Sequence, residues 1–202
     1  MHSIWQEQID FPVYPILKRD KKADILYVGA TLEHAVEAHF QKEAGNAVMI
    51  IEEKSIADMS ELGGIGILRA TNMNEFKALC ILRNYIIKHH IPCDLEIISE
   101  TSIQVHPIKL FLFMTKDVEV YEQTKITARQ GKRLDIDSAY IDAGQVIEDD
   151  RPREKRYIHI FSEADFPEIT KPDILEIRKY KNNYLVLSYQ RELEGSQRYW
   201  EI

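Results

Sequence analysis

The chain has 202 residues, of which 45% are hydrophobic and 29% charged, enough apolar material for the buried core of an ordinary globular protein. Its formal net charge of -7 argues against a general affinity for nucleic acid, because binding to phosphate backbones needs clustered Lys and Arg. Residues 1–20 lack the basic start and apolar run of a secretion signal, and no apolar stretch approaches the roughly 20 residues that cross a bilayer. We therefore expect a cytoplasmic protein without membrane association.

The first pattern along the chain predicts a strand, a helix and a second strand. The apolar runs 25–28 and 47–51 are nearly continuous, which is typical of parallel strands buried on both faces. Between them, residues 32–40 place a mainly apolar stripe at helical spacing, after Thr31 as a good N-cap and before Gly45 as a C-terminal stop. This arrangement favours a right-handed crossover between parallel strands.

A second unit of the same kind follows at residues 65–100. Residues 65–71 predict a strand, and Asn72 with Glu75 forms a capping-box-like helix start. The helix ends before Pro92, and a further strand follows it. Two such units predict a mainly parallel or mixed sheet with covering helices.

The character of the sequence changes after this second unit. Residues 108–117 predict one more buried strand, whereas residues 118–131 fit either a helix or a strand, of which we favour the helix. Short alternating strands dominate from Lys132 onward. We therefore predict an α/β fold that becomes α+β at the C-terminus. Residues 1–116 would form the α/β region, and residues 117–202 an antiparallel β-rich region in the same domain or in a separate lobe.

A β-hairpin is predicted around Asn182 and Asn183. With a two-residue turn, the apolar residues of the two strands would lie on opposite faces of the hairpin. This turn is disfavoured, because strand register normally places the apolar residues on one buried face. A three-residue loop over 181–183 instead places Ile177 opposite an apolar partner and turns Glu176 and Arg178 outward. We therefore expect the longer loop, with Asn183 in the left-handed region.

The glycines at 63, 64 and 66 raise the question of a phosphate-binding loop. A dinucleotide fingerprint needs its glycines directly after a strand and at the start of a helix, so that backbone N–H groups meet the pyrophosphate. Gly63, Gly64 and Gly66 come before their strand. We interpret them as a flexible entry into that strand, where Gly66 permits tight packing.

A ligand is expected instead beyond the carboxyl ends of the predicted strands, where two loops also present helix N-termini that suit an anion. Glu52 ends the second strand about 20 residues past Gly29, where a ribose-binding acid lies in nucleotide folds. Of the three glycines in the fingerprint, only the one at Gly29 is present. The competing interpretation is that both loops are ordinary turns between a strand and a helix, with no ligand. The predicted cofactor-binding residues are Gly29, Ala30, Thr31, Glu52, Arg69, Thr71 and Asn72.

No metal site is predicted. His34 and His39 lie on different helix faces and do not match H-E-x-x-H, so we expect His39 to be a packed, hydrogen-bonded residue. The stretch 89–93 offers two histidines and a cysteine but has no second ligand cluster. Asp135 and Asp137 share one face of a strand, which alternation with apolar residues explains as well as Mg²⁺ binding does.

Two functional hypotheses follow. No serine lies in G-x-S-x-G, there is no Walker A sequence, and Cys80 and Cys93 are expected to be reduced thiols, although the spacing also permits one disulfide. Because no catalytic constellation is complete, the leading hypothesis is a soluble intracellular binding or regulatory protein with a protein partner. The alternative is a Rossmann-like enzyme or sensor that binds a nucleotide or a nucleoside-containing cofactor.

Overall fold

The computed structural model describes residues 5, 9–56, 65–148, 156–164, 166, 174–191, 193 and 195–201. The predicted fold class is confirmed: within these residues the chain has an α/β fold with one mixed sheet, an antiparallel C-terminal sheet and a small third sheet. The elements in chain order are β1 (Lys21–Val28), α1 (Leu32–Glu43), β2 (Val48–Ile51), β3 (Ile67–Arg69), α2 (Met73–Lys88), β4 (Glu96–Ser99), β5 (Ser102–Gln104), α3 (Pro107–Thr115), β6 (Glu119–Tyr121), β7 (Ile126–Gln130), β8 (Arg133–Ile136), β9 (Ala139–Glu148), β10 (Tyr157–Ser162), β11 (Ile174–Tyr180), β12 (Asn183–Ser188) and β13 (Arg198–Glu201).

The main sheet has the strand order β6-β2-β1-β9-β8-β7. Its first four strands run parallel, and β8 and β7 continue it in antiparallel fashion. Alternate residues of β1 pack on opposite faces of the sheet, because successive side chains in a strand point to opposite sides. Tyr27 packs into a core that includes Ala35 of α1 and Phe111 of α3, whereas Leu26 packs with Met49 and Ile141 on the other face. The first predicted strand–helix–strand unit is therefore present as β1–α1–β2.

The second predicted unit is built differently. β3 and β4 are each antiparallel to β5, which lies between them, so they run parallel to each other in a separate three-stranded sheet. The expectation that both units share one sheet is wrong. The reason is that both edges of β1 and β2 are already paired: β9 lies along β1, and β6 lies along the other edge of β2. The boundary between residues 116 and 117 stays a prediction.

Two elements in the middle of the chain differ from prediction. The expected strand at 108–117 is the helix α3, in which His106 Nδ1 accepts from the N–H of Lys109 and Pro107 takes the first turn. The less buried side of this helix also carries apolar residues, Leu112 and Phe113, so the run is nearly continuous in apolar character. The favoured helix at 118–131 is also wrong, because this segment forms β6 and β7, which pair with β2 and β8.

The C-terminal hairpin has a shorter turn than expected. Tyr180 pairs with Asn183, which leaves a two-residue turn with Lys181 at a φ of +54°, and Ile177 pairs with Val186. The two-residue turn also places Arg178 opposite Leu185, whose side chain is fully buried. As a result Arg178 points inward and is only 4% exposed.

The C-terminal sheet, with order β11-β12-β10-β13, packs onto the same apolar core as α1 and α3. Ile158 and Ile160 of β10 and Leu185 of β12 join this core through their buried side chains. No helix in the described part of the chain is long and apolar enough to cross a membrane.

Candidate functional site

The loop between β1 and α1 makes a sharp turn at Gly29. Gly29 has a φ of +96°, which favours glycine, and its N–H donates to Ile51 O at 2.8 Å. In the spacing G-x-G-x-x-G, Gly29 takes the first glycine position, Thr31 the second and His34 the third. This loop therefore has a glycine at the first position of that spacing, whereas its second and third positions carry residues with side chains.

Glu52 lies next to this turn at the end of β2. Its Oε2 accepts from the N–H of Ala30 at 3.0 Å, and its Oε1 accepts from the N–H of Lys54 at 3.0 Å. The Glu52 N–H itself donates to Tyr121 O, which fixes the strand end against β6. The side chain is only 8% exposed. Each carboxylate oxygen has a further lone pair, so Glu52 is able to accept hydroxyl groups in addition to these backbone donors.

Thr31 and His34 use their side chains inside the turn. Thr31 is the N-cap of α1, and its Oγ1 accepts from the His34 N–H at 3.1 Å. His34 Nδ1 lies 2.7 Å from Gly29 O, and because a carbonyl only accepts, this nitrogen carries the proton. The His34 ring is buried and lies 5.2 Å from the ring of Tyr27. The turn is therefore closed by its own side chains.

A second buried acid, Glu122, lies beside Glu52 and was not among the predicted site residues. It directly follows β6, whose Tyr121 is in register with Ile51 of β2. Its Oε2 accepts from the Ile56 N–H at 2.9 Å and from Ser55 Oγ at 3.3 Å. Like Glu52, it is an acid directly after a buried strand. Because a helix was favoured over residues 118–131, this strand end was not recognised from the sequence. Glu52 and Glu122 together hold residues 54–56 against the sheet.

The predicted residues of the second loop lie elsewhere. Arg69 ends β3 of the three-stranded sheet and forms an ion pair at 3.7 Å with Glu176 of β11 in the C-terminal sheet. Thr71 donates to Glu75 through its N–H and its hydroxyl, both at 2.7 Å, and Asn72 caps α2. Among the described residues, no hydrogen bond or ion pair joins this loop to Gly29, Ala30, Thr31 or Glu52. The structure thus brings together the first four predicted residues, pairs Arg69 with β11, and gives Thr71 and Asn72 local contacts at the start of α2.

The histidines and cysteines named in the sequence have structural contacts. His39 is packed and hydrogen-bonded as predicted, with Nδ1 at 3.1 Å from Met114 O and Nε2 at 2.8 Å from Tyr85 Oη. Cys80 and Cys93 are free thiols. Burial raises the pKa of Cys93 to about 11, with a smaller contribution from Asp94, which keeps this thiol protonated and poorly nucleophilic. Within the described residues no group of three His, Cys, Asp or Glu side chains converges as metal ligands do.

No family model and no curated protein matches this chain. Solved structures do match it. The L-amino acid deaminase from Proteus vulgaris aligns at 15% identity over 92% of this chain and 72% of its own, with a TM-score of 0.54. The glycine oxidase from Bacillus cereus aligns at 12% identity over 81% of this chain and 70% of its own, with a TM-score of 0.58. PqsL from Pseudomonas aeruginosa, a probable FAD-dependent monooxygenase, aligns at 14% identity over 84% of this chain and 61% of its own, with a TM-score of 0.51.

These identities are low, and the likeness is therefore one of fold. In this chain the turn at Gly29 and the acid at Glu52 lie within the β1–α1–β2 unit of the main sheet. The chain has the same fold as an L-amino acid deaminase, a glycine oxidase and a probable FAD-dependent monooxygenase.

Proposed function

We propose that this chain binds a nucleoside-containing ligand at the carboxyl ends of β1 and β2, where Gly29, Ala30, Thr31 and Glu52 form the site. The observation that carries the proposal is the buried Glu52 carboxylate, held at the end of β2 within hydrogen-bond distance of the β1–α1 turn. An acid at this position accepts ribose hydroxyl groups in nucleotide folds. The shared fold with a probable FAD-dependent monooxygenase supports the same class of ligand.

Arg69, Thr71 and Asn72 are not part of this proposal. Their polar groups are already engaged, by Glu176 in the case of Arg69 and by the start of α2 in the case of Thr71 and Asn72. They lie at the end of β3 and directly after it, in the small sheet and its loop, whereas the proposed site lies at the carboxyl ends of the parallel strands β1 and β2. The ligand would therefore contact one loop of the chain rather than two.

The first test compares Glu52→Gln with the matched variant Glu53→Gln. We expect Glu52→Gln to weaken binding of adenosine about 10- to 100-fold in isothermal titration calorimetry, since a hydrogen bond to a charged group contributes about 1.5–3 kcal/mol. Glu53 is exposed and forms an ion pair with Lys125. Glu53→Gln removes the same charge one residue away and is expected to leave the affinity within about twofold, as exposed pairs contribute little.

The control for this test is the stability of the variant itself. Glutamine at position 52 keeps one carbonyl oxygen but turns an NH₂ group toward one of the two backbone N–H groups that Glu52 now accepts from. Circular dichroism and urea unfolding of Glu52→Gln show whether the fold is retained, and Glu52→Asp keeps the charge at a shorter reach. A folded Glu52→Gln that binds adenosine as tightly as the wild type would contradict the proposal.

A protein partner remains a second proposal, supported by the exposed edge of the small sheet. All four residues of β4 are exposed, including Ile97 at 52% and Ile98 at 50%, and β4 pairs only with β5 among the described strands. An open apolar edge is suited to pairing with another chain. We expect proteins recovered by a wild-type pulldown to be lost with Ile97→Lys and retained with Glu100→Lys on the adjacent turn. Equal recovery by both variants would rule out β4 as the contact.

A further inference from the structure

We infer that the proposed site selects a nucleoside without a diphosphate. The inference rests on the proposed function and specifies its ligand. It separates this chain from the dinucleotide class suggested by its likeness to a probable FAD-dependent monooxygenase. Three properties of the β1–α1 turn carry it: the side chain at the second fingerprint position, the backbone donors that are already used, and the sign of the surrounding charge.

The first property is the side chain of Thr31. The second glycine of the fingerprint has no side chain so that the backbone can approach the pyrophosphate. Here that position carries Thr31, whose Oγ1 lies over the first turn of α1, 3.1 Å from the N–H of His34. A phosphate entering this turn would have to displace the Thr31 side chain before reaching the backbone.

The second property is the use of the backbone donors. A helix N-terminus binds a phosphate because its first N–H groups have no partner within the helix. In this turn the Ala30 N–H donates to Glu52 Oε2 and the His34 N–H donates to Thr31 Oγ1. His34 in turn donates through Nδ1 to Gly29 O, which holds the turn in its present shape. Two of the N–H groups that face the fingerprint turn are thus occupied by carboxylate and hydroxyl oxygens of the chain itself.

The third property is the charge around the turn. Glu33 is the acidic residue in the first turn of α1, and Glu52 and Glu122 are buried at adjacent strand ends. Glu53 is balanced by Lys125, whereas neither Glu52 nor Glu122 has a salt-bridge partner among the described residues. A diphosphate would bring further negative charge beside these carboxylates. A nucleoside whose 5′ substituent is neutral or cationic, such as a hydroxyl, a thioether or a sulfonium group, avoids this repulsion.

The test is a titration series on the full chain by isothermal titration calorimetry. The probes are adenosine, guanosine and S-adenosylmethionine on one side, and ADP, GDP and FAD on the other. We expect at least one nucleoside of the first group to bind at least tenfold more tightly than the diphosphate with the same base. A diphosphate or FAD that binds as tightly as the corresponding nucleoside would overturn the inference and leave the proposed function standing.

Two variants test the stated cause. Thr31→Gly should reduce the ratio of nucleoside to diphosphate affinity about tenfold, because it opens the turn and frees the His34 N–H. Glu33→Gln should reduce the same ratio about two- to fivefold, the range expected for one charge at a helix N-terminus. Glu53→Gln, whose charge Lys125 already balances, should leave it unchanged. An unchanged ratio in both Thr31→Gly and Glu33→Gln would overturn the inference, and failure of every probe to bind would overturn the proposed function with it.

Discussion

Gly66→Ala is expected to lower the free energy of unfolding by about 3–5 kcal/mol, because it combines backbone strain with overlap in a closed part of the core. Gly66 has a φ of +76°, a conformation that side-chain-bearing residues rarely adopt. A Cβ built there would overlap the backbone oxygen of Val105 and Nη1 of Arg178. Neither neighbour can yield cheaply, since Arg178 Nη1 donates to Val105 O and to Ile65 O.

Gly131→Ala separates the two causes. Gly131 also has a positive φ, +64°, but a Cβ there would meet nothing within 4 Å. Its substitution should cost only the backbone term, about 1–2 kcal/mol. Urea unfolding followed by circular dichroism measures both variants under the same conditions. If the two glycine variants lose equal stability, the overlap at Gly66 contributes nothing and the close contact with Arg178 is not tight.

Arg178→Met is expected to lower the free energy of unfolding by about 2–4 kcal/mol, because two buried carbonyl oxygens lose their donor at about 1–3 kcal/mol each. Arg178 Nη1 donates to Ile65 O at 2.7 Å and to Val105 O at 2.6 Å. The wild type also carries a cost of burying this cation, which the substitution removes and which makes the expected destabilisation smaller. Burial lowers the pKa of Arg178, and its Nε has no hydrogen-bond partner among the described residues. The rings of Trp5 and Tyr180, with centroids 4.9 and 5.5 Å from the guanidinium carbon, offset part of that cost.

The control for Arg178 is Arg129, whose side chain is about half exposed and forms an ion pair with Glu148 at 2.8 Å. Arg129→Met should change the unfolding free energy by no more than about 1 kcal/mol, because a surface pair is screened by solvent. Chemical denaturation of both variants, with the slope of the transition compared, shows whether the unfolded reference state is the same. An Arg178→Met protein as stable as the wild type would mean that the desolvation cost of the cation equals the value of its two hydrogen bonds.

The first strand–helix–strand unit could be predicted because its signals are local. The continuous apolar runs of β1 and β2, the Thr31 cap and Gly45 each act within a few residues of the chain. Thr31 indeed caps α1, and Gly45 has a φ of +92° just past its end. The same reasoning placed Glu52 at a strand end, where the structure holds it against the turn.

The middle of the chain could not be predicted in the same way. The apolar run of α3 fits a buried helix and a buried strand equally well, because a short, nearly continuous apolar run does not distinguish the two. β6 and β7 are short and become strands only by pairing with β2 and β8. Since the acid after β6 was assigned to a helix, Glu122 was missed together with its strand.

The sequence by itself determined the fold class, the sharp turn at Gly29 and the acid at Glu52, because turn geometry, capping and apolar periodicity are properties of neighbouring residues. Only the tertiary structure decided which strands share a sheet. It places β1 and β3 in different sheets, so the loops that follow these two strands do not form one site. It also turned Arg178 inward, onto carbonyl groups 113 and 73 residues away in the chain. Such contacts depend on which distant groups meet in the folded core, and local spacing carries no information about them.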